Sequence, residues 1–448
     1  MRATMTRSAD APPPPRVLGL FDASCIVIGA IIGVGIFFTP ARMAALVGSG
    51  PLLLLAWLLA GFIVLAGALT FAELGARYHR SAAQYEILRD TYGPLPAFLF
   101  VFCNATAVQG GAIGIIAIIC VQNFVVALGQ TSLGPGWSTL ASVGLVVGLT
   151  AANVLGVRWG ARIQNATVLM KLLTLVAIGA LGAFAPVQDT PVGRDEVQSK
   201  GVLGVLAALV PAFFAFGGFQ HALWISGEVR EPKRNLPRAI LVGVVVVVVV
   251  YLLANWSYLR LLGGASAVAA SKTLAADAVA RAAPSVGGRV IAAAVGISAL
   301  GVLNAQLLSG PRLVFGMARD GRFFPAFGRL DARFGTPSAA IWFVGAIAVA
   351  LLVLAGEKGV DRLLTGVVFV DGVFFAATGA ALFVLRRRGG EASFRTPGYP
   401  LPPLFFVLGA IGVVVGAHLD PAVLPATLIG AAWIAAGALL YFVRFRGK

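Results

Sequence analysis

Apolar residues in this chain come in long blocks separated by short polar connections, as in Ala239–Leu259 and Pro402–Gly416. A helix needs about 20 mostly apolar residues to cross the hydrocarbon core of a bilayer. In hydrocarbon every backbone N–H and C=O must find an internal partner, so blocks of this length cross as helices. The pattern predicts twelve spans, near residues 17–46, 51–75, 94–128, 138–157, 163–184, 202–226, 239–261, 287–315, 338–355, 361–386, 402–418 and 422–444. The first block is too long for a secretory signal and lacks a small-residue cleavage site. It also runs straight into a second span, so it reads as a retained helix.

The remaining stretches are short. The tail 1–16 is polar and then proline-rich (Pro12–Pro15), which predicts a disordered segment. The connection 263–286 is rich in Ala and Ser and predicts a short interfacial helix. Spans three and eight are longer than a crossing requires, which predicts tilt.

Composition agrees with the pattern: of 448 residues 59% are hydrophobic and 12% charged, with mean hydropathy +0.91. A soluble domain carries about 25% charged residues. The net charge of +16 would suit nucleic acid, but its distribution points elsewhere. With the N-terminus inside, the inner connections hold 24 Lys and Arg, the outer ones 9, and Lys171 lies within a span. Inner loops of membrane proteins are enriched in these residues, so the asymmetry places both termini in the cytoplasm and supports an even number of spans. No nucleic-acid partner is implied. The preference for Ala, Gly, Val and Arg over Lys points to a high-GC bacterium and thus to its cytoplasmic membrane.

Reactive side chains are sparse. Cys25, Cys103 and Cys120 fall in spans and read as small packing residues, without a disulfide framework. The 3 histidines show no metal-ligand spacing, so neither a metal, a cofactor nor a catalytic residue of an enzyme is expected. A channel would show a repeated filter or a charge ring, and none is found.

The informative feature is a pair of glycine-interrupted spans. Span one contains Gly29-Ala-Ile-Ile-Gly33-Val-Gly35-Ile-Phe37, and span six contains Phe213-Phe-Ala-Phe216-Gly217-Gly218-Phe219. Each opens one of two consecutive five-helix blocks, 17–184 and 202–386, with two further helices over 402–444. On the topology above the two spans run in opposite directions. Glycine also serves close helix packing, so one such cluster means little. Two at matching positions of inverted halves point to a central transport site. Glycine costs about 1 kcal/mol relative to alanine inside a helix, so the chain unwinds there at least expense. Unwinding frees N–H groups suited to a carboxylate and C=O groups suited to an ammonium.

At these residues the chain resembles the amino acid–polyamine–organocation (APC) superfamily of permeases, and within it the bacterial relatives of the L-type amino acid transporters. The likeness covers nearly the whole chain. It rests on Gly33-Val-Gly35-Ile-Phe37 with Pro40, on Ala72-Glu73-Leu-Gly75 followed by Ser81, Tyr85 and Tyr92-Gly93-Pro94, and on Gly156-Val-Arg-Trp-Gly through Lys171. Further matches are Gly227-Glu228-Val-Arg-Glu-Pro232, Ser309-Gly-Pro-Arg312, Met317-Ala-Arg-Asp320-Gly321, Thr336-Pro337 and Phe394-Arg-Thr-Pro397-Gly-Tyr-Pro400. The resemblance implies an all-α membrane fold of the LeuT type, a 5+5 inverted repeat with helices one and six broken, plus two C-terminal helices. It implies that backbone around Ile32, Gly33, Val34 and Gly35 holds a substrate carboxylate. Carbonyls near Ile28 and at Phe214, Ala215 and Gly217 would take the ammonium. Phe214 or Phe216 matches an aromatic gate, and Phe219 and Gln220 would face the side-chain pocket.

Departures from the family pattern bear on substrate identity. Val34 stands for a serine, Ser81-Ala-Ala-Gln84 for a glycine pair read as loop, and span three lacks a tryptophan. The outer loop 129–137 has no cysteine, so no disulfide-linked heavy chain is expected.

Lys171 is the sharpest single residue. A cation at membrane depth is rare, and the resemblance makes it the fixed charge that bonds spans one and eight, with a role in coupling; the alternative is snorkelling to the interface. Asp371 lies mid-span and either lines the cavity or pairs within the bundle. His221 reads as a packing histidine or a proton-linked one, and Glu73, Glu228 and Asp22 as interfacial partners of arginine. Together these predict a transporter of a neutral amino acid, by exchange or proton symport, embedded in membrane lipid. An amine or polyamine permease and a non-transporting sensor are the alternatives.

Overall fold

The computed structural model describes residues 14–130, 133–134, 136–185, 201–271, 273–284, 287–355, 360–419 and 424–446. Most of the expected disordered tail therefore lies outside the described residues, as does the stretch 186–200. Among the described residues, 9 helices are long and apolar enough to cross a membrane. Three shorter apolar helices, Leu20–Ile31, Ser338–Leu354 and Leu401–Val415, accompany them. Together they coincide with the predicted spans. The chain is an all-α, multi-pass membrane protein, and its only extended pairing among the described residues is one bridge between Leu18 and Val229.

Both glycine-rich spans are interrupted. Span one runs as Leu20–Ile31, passes through a short 3-10 turn at Gly35–Phe37, and resumes as Thr39–Val47. Span six runs as Gly201–Phe216, turns, and resumes as His221–Trp224. Span three is one long helix broken in register by a π turn at Asn104–Val108 between Pro94–Cys103 and Gln109–Ala127. Span eight, Gly287–Ser309, ends at Gly310, and Pro311–Arg319 follows as a separate helix.

Packing pairs the spans in a regular way. Span two (Gly50–Arg77) lies along span seven (Pro232–Leu262), span three along span eight, and span four (Trp137–Val154) along span nine (Ser338–Ala355). Small residues let these backbones approach, as Gly61 does opposite Val248 and Gly345 opposite Thr150. Span one is enclosed by span seven, span eight and span five (Val157–Phe184), which explains why eight of its first twelve residues are buried.

Two connections differ from expectation. The segment after span two, read as loop, forms helix Ala83–Tyr92 with one face buried through Ala83, Gln84, Ile87, Leu88 and Thr91. The connection after span seven forms two short helices rather than one, Ala265–Ala270 and Leu274–Ala282. They pack against Thr39–Val47 and against spans seven and eight, because Leu274, Ala275, Ala278 and Val279 make an apolar face.

Candidate substrate site

The break in span one leaves a run of free donors. Among the described residues the backbone N–H groups of Val34, Gly35 and Ile36 meet no backbone acceptor, and the Gly33 N–H is directed at the Tyr251 hydroxyl oxygen. They precede helix Thr39–Val47, whose macrodipole adds positive potential at that end. Across from them, span six reaches its C-terminal end at Phe216, where the carbonyls of Phe216 and Gly217 receive no backbone donor among the described residues. The two breaks touch. Gly218 holds φ +127, and a Cβ there would meet the Ala30 carbonyl at 2.6 Å. Only glycine allows this conformation and this approach together.

Three side chains hold the freed backbone in place. Lys171 is 1% exposed, and its Nζ donates to the carbonyls of Ile32 at 2.6 Å and Gly29 at 3.1 Å. The side chain does not snorkel: it ends on span one, with Gly301 of span eight packed beside Nζ. Ser298 of span eight donates to the Ile32 or Gly33 carbonyl, at 3.4 and 3.2 Å. The Tyr251 hydroxyl lies 3.1 Å from the carbonyls of both Ile31 and Ala215, so one O–H bridges the two broken spans.

A cavity of about 150 Å³ opens between the breaks. An apolar cavity of about this size holds a benzene-sized ligand. Gly33, Val34, Gly35, Phe214, Ala215, Gly217 and Gln220 line it. Ile28, Ile32, Phe216 and Phe219 do not. The Ile28 carbonyl accepts the Ile32 N–H, that of Phe214 accepts the Gly217 N–H, and that of Ala215 accepts Tyr251. Phe214 faces Phe38 across the cavity with ring centroids 6.3 Å apart, whereas Phe216 turns away to pack on Trp57 and Tyr251. Phe219 is stacked on Phe375 beneath the cavity wall, and the Gln220 amide oxygen accepts the Gly218 N–H. Residues not singled out from the sequence also contribute, among them Tyr251, Ser298, Gln109 and Gln306.

The amino acid permease family model matches residues 18–443. This chain belongs to the amino acid permease family. The permease is 29% identical over 403 residues to the serine/threonine exchanger SteT of Bacillus subtilis, covering 88% of this chain and 90% of SteT. It is 28% identical over 446 residues to the human large neutral amino acids transporter small subunit 2, covering 95% and 80%. It is 28% identical over 417 residues to the mouse b(0,+)-type amino acid transporter 1, covering 88% and 82%.

Around its site the permease carries charged groups that sequence alone left ambiguous. Glu228 pairs with an arginine as expected, Arg312 at 3.0 Å, and the pair is fully buried. Glu73 accepts from Arg77, Arg386 and the Thr396 N–H. Asp22 accepts from Asn165 at 2.7 Å and from the Gly19 N–H. His221 lines the cavity with its ring stacked on Trp224 and Nδ1 2.5 Å from the Ser309 hydroxyl. Asp371 lines the cavity too, with no ion pair or hydrogen bond among the described residues. Gln84 is buried in its helix, accepting from Trp224 Nε1 at 2.7 Å and donating to Thr378 at 2.9 Å. That one amide ties the connecting helix to spans six and ten.

Proposed function

We propose that this permease moves a zwitterionic amino acid across the bacterial cytoplasmic membrane by alternating access, as an exchanger or a proton symporter, without covalent chemistry. The observation that carries the reading is the run of N–H groups at Val34, Gly35 and Ile36 that meet no backbone acceptor among the described residues. They face a cavity whose opposite edge is the carbonyl end of Gly201–Phe216. Unpaired backbone at membrane depth is tolerated where a ligand satisfies it. A carboxylate at the N–H run and an ammonium at the carbonyls need no charged side chain in contact. The names of the relatives, an exchanger among them, support the amino acid as substrate.

The pairing of span two with seven, three with eight and four with nine supports two five-helix repeats, 17–184 and 202–386, with 402–444 added. Helices offset by five then meet their own equivalents, as a pseudo-two-fold axis between the halves requires. The distribution of Lys and Arg supports cytoplasmic termini. The absence of cysteine from 129–137 supports operation without a disulfide-linked heavy chain.

Reconstitution in proteoliposomes tests the proposal. Radiolabelled amino acid should enter faster when unlabelled amino acid is loaded inside, or when a proton gradient is imposed. Stimulation by the first condition alone assigns exchange, and by the second alone symport. Uptake of amines or polyamines in preference to every amino acid would replace this reading, with Asp371 as the group that receives the cation.

A further inference from the structure

Polar side chains around the cavity divide into two sets. Gln220 and His221 are already partnered, by the Gly218 N–H and by Ser309. Gln109 of span three and Gln306 of span eight are not: both line the cavity, and the amide oxygen of each is buried without a hydrogen-bond partner. Gln109 is 1% exposed, so no bulk water reaches it. The two residues are linked through Gly310. Gln109 Oε1 lies against Gly310, since a Cβ built there would be 3.0 Å from it, and the Gly310 N–H closes its turn on the Gln306 carbonyl at 2.9 Å. The π turn at Asn104–Val108 ends one residue before Gln109, and such turns recur where a helix must re-aim side chains at a site.

A buried acceptor without a partner is costly, and native proteins leave few of them. Two on the wall of one ligand cavity are accounted for if the ligand supplies the missing partners. We infer that the part of the cavity lined by Gln109 and Gln306 is a side-chain subsite for an uncharged group that both donates and accepts hydrogen bonds, a hydroxyl or a carboxamide. This inference rests on the amino acid reading above and narrows its substrate class. A carboxamide carries a carbonyl acceptor and an NH₂ donor, so either orientation of each glutamine amide finds a match in such a group. An ammonium or guanidinium would also donate to the two oxygens, but the lysine and arginine side chains that carry them are too long for a cavity of about 150 Å³. An aliphatic side chain leaves everything unmatched. Asp371, which lines the same cavity, accepts when ionised and both donates and accepts when protonated, so it accommodates the same group. The cavity of about 150 Å³ sets the size: small side chains fit and long ones do not.

Threonine and valine give the sharpest test, because they share a shape and differ by hydroxyl for methyl. The full-length permease in proteoliposomes should show a kcat/KM for threonine at least about tenfold above that for valine, because valine leaves the amides unpaired. Gln109→Leu and Gln306→Leu should each move the threonine-to-valine ratio toward one; a purely structural defect would lower both rates together and keep the ratio. Gln306→Met serves if a leucine variant is not monodisperse on size exclusion. Equal rates for threonine and valine in the unaltered protein, preference for lysine or arginine over both, or an unchanged ratio in the variants would each overturn the inference. Transport of valine with no such preference sinks the subsite alone. Transport of no amino acid sinks the parent reading with it.

Discussion

The Nζ of Lys171 and the carbonyl oxygen of Ile32 lie 2.6 Å apart, and this contact fixes the C-terminal end of the first half of span one. The lysine supplies its charge to the carbonyls of Ile32 and Gly29, which the break has deprived of helical donors. Removing it strands two buried acceptors, each costing about 1–3 kcal/mol. Lys171→Ala should lower uptake at least about tenfold, in keeping with that cost, while the protein stays monodisperse. Lys171→Arg should not restore uptake, since a planar guanidinium does not fit a site shaped for a compact ammonium. Turnover equal to the unaltered protein would refute the role given to this contact.

Among the described residues, Tyr251 is the one side chain whose hydroxyl meets both broken spans. Tyr251→Phe keeps the ring against Trp57 and Phe216 and removes only the bridge. The expected loss is about 1 kcal/mol, the usual net worth of one buried hydrogen bond, read as a lower melting temperature in detergent. A larger fall in transport than in stability would show that the bridge positions the breaks rather than merely stabilising them.

Gly218→Ala puts a methyl 2.6 Å from the Ala30 carbonyl at a positive φ. The two breaks must separate, at a cost of about 1–3 kcal/mol from overpacking. The variant should lose the thermal shift that a transported amino acid gives the unaltered protein. A retained shift would mean that the crossing at Gly218 does not shape the site.

The buried pair Arg312–Glu228 should be asymmetric under mutation. Arg312→Met alone leaves a carboxylate without its cation and should cost about 3–5 kcal/mol. Glu228→Met with Arg312→Met should recover much of that, because the uncompensated charge is gone. A double-mutant cycle on thermal unfolding measures the coupling, and additive losses would contradict it.

Glu86, in the connecting helix Ala83–Tyr92, has its pKa pushed up to about 7 by burial, with Arg89 and Arg80 opposing the shift and Asp90 and Asp320 adding to it. A folded-state value above the unfolded one means that the folded protein holds the extra proton. Its favourable contribution is complete below the ordinary carboxylate value of 4.5 and is lost as pH rises through about 7. Melting temperature should therefore fall over that window, and Glu86→Gln should flatten this part of the profile. An identical profile for the variant would exclude Glu86 as the source.

The spans were legible because burial in lipid demands long apolar runs, and both glycine clusters marked the breaks because few other residues permit them. Side-chain direction was not legible. Phe214 and Phe216 flank one turn at the end of a helix about to unwind, so periodicity could not decide which faces Phe38 and which faces Trp57. Tyr251 follows a run of seven valines in span seven and looks like any lipid-embedded aromatic until the fold brings two carbonyls to its hydroxyl. Helix Ala83–Tyr92 was hidden because its entry depends on Ala82 at φ 65 rather than on a capping side chain, and because its apolar face has no counterpart nearby in sequence. That Glu228 pairs with an arginine was legible, but which arginine was not, since sequence cannot show that the chain folds back to bury it against Arg312.

The widened turn at Asn104–Val108 carries one more residue than regular winding would use. Each residue advances a regular helix by about 100°, so if these same residues wound regularly Gln109, Ala112 and Ile116 would swing off the chamber together. Hydropathy records nothing of this, because the segment is apolar and long enough to cross in either winding. Substitutions in this short window that favour regular winding are thus a hidden class of lesion, harmless to insertion and ruinous to recognition.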